Sequence, residues 1–276
     1  MNVQKLMLCT VLAAVAGISV VPASQAASAL DKVVQAKKLR CGVMLDSPPS
    51  GFRTPDNQPE GFDVAYCKDM AKALGATAEI VETPSSDRIP ALVSNRIDVL
   101  IASTSNTVAR GLTVGFSQPY MNYTTAVITR KDTGIKQYSD LKGHTLGGVT
   151  GTSTEQMLKK DVANWNDAKT SYIGYGNDTE AFLALQQGKV DAVLQATAVA
   201  STLLKSGQFP TFAMAGEAPF PPDLVSIAVR RDDPEMLGWV KLFIWNQVAS
   251  GRFAELYHTY IADTEPPALN VKGVDY

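Results

Sequence analysis

Hydrophobic and polar positions alternate with two different periods along most of the chain. The short apolar runs 39–45 and 77–82 predict β-strands, whereas 63–75 has helical spacing and ends at a helix-terminating Gly75. A further helix is predicted over 85–95, and a further strand over 96–103. Strands that alternate with helices in this way predict parallel sheets with helices on both faces.

The same pattern occurs twice. Residues 91–103 and 184–196 both read Ala-Leu, three further residues, a base, a β-branched residue, an aspartate and an apolar strand. Upstream, 61–75 has a counterpart in 151–165. A helix–strand–helix–strand unit is therefore predicted twice, which indicates two α/β lobes rather than one large sheet. The segment 233–261 is predicted to be helical and to follow both units.

The first 26 residues differ from the rest. One lysine, Lys5, precedes an apolar run from Leu6 to Val21, and Pro22 and several small residues follow. This pattern is typical of a secretory signal peptide, and the run is short for a membrane span, which needs ~20 residues. A retained membrane anchor is the alternative. We expect a soluble exported protein from which residues 1–26 are removed.

Composition narrows the classes of function. The 25 Lys and Arg residues nearly balance the 27 Asp and Glu residues, so no nucleic-acid-binding or anionic-membrane-binding surface is indicated. After removal of the signal peptide two cysteines remain, Cys41 and Cys67, and an exported protein meets an oxidising compartment. The sequence leaves open a disulfide or two buried thiols. With His144 and His258 as the only histidines, no metal site and no cofactor are expected.

The first candidate for ligand chemistry is Arg110, which lies shortly after the predicted strand that ends at Ser103. Ligands of open α/β sheets bind beyond the carboxyl ends of the strands, so this segment is expected to line a cleft. The planar guanidinium suits a carboxylate, and Ser103, Thr104 and Ser105 add small hydroxyl and backbone donors. The segment predicts a carboxylate site; the alternative is a surface arginine beside a helix cap.

A second anion-binding segment is predicted at 148–156. Gly151 permits a tight turn, and Thr152 with Glu155 fits a capping box that begins a helix. A helix N-terminus presents free N–H groups and the positive end of its dipole to an anion, and Ser153 adds a hydroxyl. We expect this segment to bind the same ligand and interpret Glu155 as a cap rather than a catalytic acid.

These residues resemble those of the periplasmic solute-binding proteins of polar-amino-acid ABC transporters, bacterial extracellular solute-binding protein family 3. The resemblance covers nearly the whole mature chain and rests on the segments GFDVAYCKDMAKALG, RIPALVSNRIDVLIAS, SNTVAR followed by FSQPY, TGTSTE and GKVDAVLQ. It implies the two-lobed type II fold, in which each lobe is a mostly parallel sheet flanked by helices. Two hinge crossovers would lie near 122–125 and 222–225. Lobe 1 would comprise 27–123 and 224–276, and lobe 2 would comprise 124–223.

The resemblance also implies which residues bind the ligand. Arg110 would bind an α-carboxylate, assisted by Ser105 and by the region of Ser153. The Ser103 backbone would help to hold the amine.

Side-chain specificity would come from lobe 1. The loop from Asp46 to Phe52 would cover the side chain of the ligand, and Arg88 lies where the family has a side-chain determinant. In the segment DRIPAL, Arg88 resembles its counterpart in binders of acidic amino acids. The alternative is a solvated arginine at the start of a helix.

One position departs from the family. Family members usually place an aspartate five residues after the position of Asp191, where it pairs with the α-ammonium group, but this chain has Ala196 there. An unpaired buried ammonium would be costly. Either another acid substitutes, with Asp46 and Glu155 as candidates, or the ligand lacks an ordinary α-amino group and Gln195 binds a neutral polar group.

The function implied is that of a transport receptor without catalytic activity. Binding of a small carboxylate or amino acid would close the lobes, and the closed form, a periplasmic monomer, would dock on the membrane permease of an ABC importer. Two alternatives remain. One is a secreted enzyme on the same fold, such as a cyclohexadienyl-dehydratase-like lyase, for which Glu155, Asp46 and Glu217 are the candidate acids or bases. The other is a ligand sensor that acts in trans.

Overall fold

The computed structural model describes residues 28–271. The predicted signal peptide, 1–26, and the C-terminal residues 272–276 lie outside this range. The helices are α1 (Ala29–Ala36), α2 (Phe62–Ala73), α3 (Arg88–Val93), α4 (Val108–Gly111), α5 (Ser153–Trp165), α6 (Asp178–Gln186), α7 (Thr197–Lys205), α8 (Pro234–Ala249) and α9 (Arg252–Tyr260). The strands are β1 (Lys38–Val43), β2 (Asp46–Ser47), β3 (Gly51–Arg53), β4 (Pro59–Glu60), β5 (Thr77–Glu82), β6 (Val99–Leu100), β7 (Val114–Tyr123), β8 (Thr125–Arg130), β9 (Thr145–Val149), β10 (Ser171–Tyr175), β11 (Ala192–Ala196), β12 (Phe212–Glu217) and β13 (Asp223–Arg230).

Two five-stranded sheets organise the molecule. The first has the order β5-β1-β6-β13-β7, in which β1 is parallel to β5 and β6 and β13 is antiparallel to β6 and β7. The second has the order β10-β9-β11-β8-β12, in which β9 is parallel to β10 and β11 and β8 is antiparallel to its two neighbours. Four strands of each sheet therefore run in one direction. This repeat confirms the predicted two-lobed, mostly parallel α/β fold.

Two connections join the sheets. The first is Thr124, between the end of β7 and the start of β8. The second is 218–222, between β12 and β13. They lie side by side, since Thr124 Oγ1 donates to Glu217 Oε1 at 3.0 Å and the backbone N–H of Ala218 donates to Thr125 O at 2.8 Å.

The start of α2 holds the loop that follows β2. Gly61 has a φ of 123°, and a Cβ there would lie 2.5 Å from Ser50 O, so only glycine allows this approach. The next two backbone N–H groups donate to Pro49 O at 3.1 Å and to Ser50 O at 2.8 Å. Because the rest of α2 is packed into the lobe 1 core, this loop is fixed by a rigid element.

A disulfide joins Cys41 of β1 to Cys67 of α2. It resolves the alternative that the sequence left open, and it ties β1, an inner strand of the lobe 1 sheet, to the helix that covers it. None of the helices within 28–271 is long and apolar enough to cross a lipid bilayer.

Replacement of both cysteines by alanine is expected to destabilise the protein by about 3.5 kcal/mol, because the bond closes a loop with a sequence separation of 26. For a chain of this size the midpoint of thermal unfolding should fall by roughly 7–14 °C. Urea unfolding of ligand-stripped protein measures the change, and reduced wild-type protein serves as the control, since it should match the variant. An unchanged urea midpoint in both would contradict the stabilising role of the bond.

Candidate functional site

A cavity of about 580 Å³, including the part open to solvent, lies between the two lobes. Among the described residues, eleven of the eighteen that line it carry a hydroxyl group. These are Ser47, Ser50, Ser85, Ser103, Ser105, Tyr123, Thr124, Thr125, Thr152, Ser153 and Thr154. Met44, Ala196 and Val199 are the apolar lining residues in the described part of the chain. So polar a wall suits a small ligand held by hydrogen bonds.

Six of the nine ligand-binding residues predicted from the sequence line this cavity. They are Arg88, Ser103, Ser105, Thr152, Ser153 and Gln195. The other three do not line it. Thr104 is buried and donates to Ala102 O, Asp46 contacts the start of α6, and Arg110 contacts backbone carbonyls of both lobes.

Arg110 connects the lobes at the edge of the cavity. It lies on the short helix α4, where its backbone N–H donates to the capping hydroxyl of Thr107. Its Nη1 donates to Ser105 O at 2.9 Å, and its Nη2 donates to Gly151 O of lobe 2 at 2.6 Å. Burial lowers the pKa of Arg110, and the negative charge of Asp223 opposes that shift.

Arg88 is buried and holds several backbone segments together, which contradicts the alternative of a solvated arginine. It is 4% exposed, and its five N–H groups all donate to protein oxygens. The acceptors belong to Ser85 (O and Oγ), Ala102, Ser103 and Gly151. Burial, together with the nearby charge of Arg110, lowers the pKa of Arg88 to about 10. Both arginines therefore share one carbonyl acceptor of lobe 2, Gly151 O.

Ser103 is held in a left-handed conformation, with a φ of 45°. Its N–H donates to Tyr120 Oη at 3.0 Å, its Oγ donates to Asp63 Oδ2 at 3.3 Å, and Tyr120 Oη donates to Asp63 Oδ1 at 2.9 Å. Burial, which outweighs these hydrogen bonds, raises the pKa of Asp63 to about 7. A left-handed serine is costly unless its surroundings fix it, so this network determines the shape of the loop after β6.

The start of α5 faces the cavity as predicted, with Ser153 as its first residue. Thr152 Oγ1 accepts from the backbone N–H of Glu155 at 3.0 Å. The Glu155 carboxylate differs from the expected capping box, because it accepts from the N–H of Gly151 at 2.8 Å and pairs with Lys159 Nζ at 2.8 Å. Glu155 thus caps the helix and is not directed at a ligand.

Asp223, at the start of β13, is a cavity residue that the sequence reasoning missed. The hydroxyls of Ser105 and Ser153 donate to its Oδ2 at 2.9 Å and 3.0 Å and lie 2.9 Å from each other. It thus joins the two serines predicted to bind a carboxylate. No motif surrounds Asp223, and its partners are 118 and 70 residues away, so the sequence carries no local signal for it.

Asp178, the first residue of α6, was also missed. It is 5% exposed, and its Oδ1 accepts from Gln195 Nε2 at 2.7 Å. Its backbone N–H donates to Asp46 Oδ2 of lobe 1 at 2.9 Å. Burial and the neighbouring Asp46 carboxylate raise the pKa of Asp178 to about 7. It follows β10 closely, so the strand-end rule that selected Ser103 could have selected it too.

Comparisons with known proteins agree with this geometry. The arginine-binding protein 1 of an Escherichia coli (strain K12) ABC transporter is 31% identical over 207 residues, which cover 73% of this chain and 82% of the relative. The L-cystine-binding protein TcyJ of the same strain is 31% identical over 236 residues, which cover 85% of this chain and 86% of the relative. The crystal structure of the ancestral amino acid-binding protein AncCDT-1, a precursor of cyclohexadienyl dehydratase, superimposes with a TM-score of 0.75 at 29% identity. That match covers 85% of this chain and all (100%) of the ancestral chain.

The family model of the bacterial extracellular solute-binding proteins, family 3, matches residues 39–263. This match spans both sheets, both connections between them and every wall of the cavity. The chain therefore belongs to the bacterial extracellular solute-binding proteins of family 3.

Proposed function

We propose that this protein is the amino-acid receptor of an ABC importer, which captures its ligand between the lobes and delivers it to a membrane permease. The observation that carries the proposal is the cavity between the lobes. Its lining combines hydroxyl donors and the cationic Arg88 with a buried carboxylate, Asp178, and Arg110 donates to the lining residue Ser105. A zwitterion is complementary to a site that offers groups of both charges. The arginine- and cystine-binding relatives support the same class of ligand.

The carboxylate of the ligand would bind at the edge of the cavity. In this proposal it replaces Gly151 O as the acceptor of Arg110. A carboxylate forms charge-assisted bonds that are about twice as strong as bonds to a neutral acceptor, so the exchange favours the ligand. The bonds of Arg88 to its own lobe would persist and hold the loop after β6 in place.

The transport role includes several further proposals. Residues 1–26 would direct export to the periplasm, where the protein would act as a monomer. Lobe 1 would comprise 27–123 and 224–276, lobe 2 would comprise 124–223, and the two connections would act as hinges. Closure on the ligand would then create the surface that docks on the permease.

A catalytic role finds less support among the described residues. The similarity to a precursor of cyclohexadienyl dehydratase is the reason to consider such a role. A lyase needs an acid or base that contacts the substrate. Of the three candidates, Glu155 caps α5, Asp46 binds the backbone of α6, and Glu217 accepts from Thr124. These three residues lie outside the set that lines the cavity in the described chain.

Thermal unfolding of refolded, ligand-stripped protein against each L-amino acid and its des-amino carboxylate tests the receptor. A ligand at 1,000 times its dissociation constant should stabilise the protein by ~4 kcal/mol. For a chain of this length that is a shift on the order of 8–16 °C. An amino acid that shifts the midpoint and is recovered unchanged supports the receptor. Turnover of the bound compound would favour the enzyme, and shifts by des-amino carboxylates alone would contradict an amino-acid ligand.

A further inference from the structure

One buried oxygen atom of the cavity makes no hydrogen bond of good geometry within residues 28–271, although the Ser47 hydroxyl lies near its carboxylate and favours the charged form. The atom is Oδ2 of Asp178, a lining residue that is only 5% exposed. A buried polar atom without a partner is costly and calls for a specific explanation. Because the atom belongs to a carboxylate in a ligand cavity, a donor on the ligand is the simplest one.

The charges around Asp178 indicate a cationic donor. Asp46 lies beside it and adds a second negative charge. Arg88 is the cation whose charge reaches Asp178, but all five of its N–H groups donate to other oxygens. A cationic group of the ligand would add a direct hydrogen-bonded partner to the charge compensation that Arg88 provides from a distance.

Asp178 lies close to position 196, where the family's acid is replaced by alanine. Gln195 Nε2 donates to Asp178 Oδ1, and Gln195 Oε1 accepts from the backbone N–H of Ala196, both at 2.7 Å. One side chain thus connects Asp178, a lining residue, to position 196 and holds its carboxylate in place. With alanine at position 196, no side chain there competes for the ligand's amine.

We propose that Asp178 is the acceptor for the α-ammonium group of the ligand, with Gln195 as the residue that positions it. This inference rests on the proposed function, because it assumes that an amino acid occupies the cavity. It assigns the binding of the α-ammonium group to an acid on α6 instead of one at the end of β11.

The other acids near the cavity fit this task less well. Glu155 caps α5 and pairs with Lys159, and Asp46 binds the backbone of α6. Asp223 lines the cavity, but its Oδ2 already accepts from two serine hydroxyls. Its charge also acts on both Arg88 and Arg110.

Calorimetric titration of Asp178→Asn with matched ligand pairs tests the inference. The pairs are L-arginine and 5-guanidinopentanoate, L-cystine and 3,3′-dithiodipropionate, L-glutamine and 4-carbamoylbutanoate, and L-glutamate and glutarate. In each pair only the α-ammonium groups differ. Wild-type protein should prefer the amino acid of at least one pair, and Asp178→Asn should reduce that preference by about 30-fold or more. The affinity for the des-amino partner should stay the same or rise.

Two control variants make the result specific. Asp56→Asn removes the same charge from an exposed loop residue outside the cavity and should keep the wild-type preference. Asp223→Asn removes the other carboxylate of the cavity wall. Loss of the preference in Asp223→Asn together with its retention in Asp178→Asn would overturn the inference. Far-ultraviolet circular dichroism confirms that each variant is folded.

The remaining outcomes separate the inference from the proposed function. If wild-type protein binds an amino acid and Asp178→Asn keeps the full preference, the inference is wrong and the receptor stands. If Asp178→Asn weakens L-arginine and 5-guanidinopentanoate equally, Asp178 binds a side-chain cation, which also overturns it. If wild-type protein binds none of the eight compounds and no L-amino acid shifts its midpoint of thermal unfolding, the proposed function is contradicted and the inference with it.

Discussion

Arg110→Ala is expected to weaken amino-acid binding severely and to leave the fold intact. Loss of one partner of a buried, hydrogen-bonded charge pair costs about 2–5 kcal/mol, which corresponds to roughly 30- to 5,000-fold in affinity. The fold should persist because the Arg110 guanidinium contacts only two backbone carbonyls among the described residues, Ser105 O and Gly151 O. Calorimetric titration with the amino acid that most stabilises the wild-type protein measures the loss.

Two further arginine variants calibrate this result. Arg110→Lys keeps the charge but loses the planar fork, so its affinity should lie between those of wild type and Arg110→Ala. Arg231→Ala removes an arginine that also donates to a backbone carbonyl, Leu112 O at 2.7 Å, but lies exposed outside the cavity. It should bind like wild type. If Arg110→Ala bound the amino acid with wild-type affinity, Arg110 would not be the residue that binds the carboxylate of the ligand.

The fold could be predicted from the sequence because its signals are local. The apolar run at 77–82 became β5, and the helical spacing of 63–75 became α2 within two residues at either end. Capping also needs only neighbouring residues, so the start of α5 at Ser153 was correct. The internal repeat then sufficed to predict two lobes of the same topology, because each unit needs its own sheet.

Elements controlled by distant contacts were predicted less well. The strand expected over 96–103 is only Val99–Leu100, because the carbonyls of Ala102 and Ser103 bind Arg88 and not a neighbouring strand. The helix expected over 85–95 divides into a 3₁₀ turn and α3. The end of the strand is thus set by one buried side chain, Arg88, whose contacts a periodic pattern does not encode.

The residues of the site also differ in whether local sequence signals reveal them. Residues that follow a strand or begin a helix, such as Ser103, Ser105 and Ser153, were found because that location is visible in the sequence. Asp223 was not found, since it reaches the cavity through the return connection between the lobes. Asp178 begins α6 in a segment without a ligand-binding motif, so its location alone does not distinguish it from an ordinary residue of a helix start. The disulfide stayed open because its geometry depends on how α2 packs on β1.

Asp178→Asn is expected to stabilise the ligand-stripped protein at pH 8 and to have little effect at pH 4. Burial and the Asp46 charge raise the pKa of Asp178 to about 7 in the folded protein, whereas an aspartate in the unfolded chain titrates near 3.9. The folded state therefore holds a proton that the unfolded state has lost. Stability falls as the pH rises from about 4 to about 7, and the full penalty remains above that range. Asparagine avoids it.

The shift corresponds to at most about 4 kcal/mol at high pH, since each pKa unit is worth about 1.4 kcal/mol. Urea unfolding of both proteins at several pH values measures the difference. Asp63, whose pKa is also raised to about 7, is unchanged by the substitution, so its contribution largely cancels. A difference in the free energy of unfolding between the two proteins that does not vary with pH would contradict a raised pKa of Asp178. If Asp178→Asn is more stable at pH 8 but prefers amino acids over des-amino ligands less than wild type does, Asp178 serves ligand binding at the expense of stability. An acid with a structural role would instead lose stability when replaced.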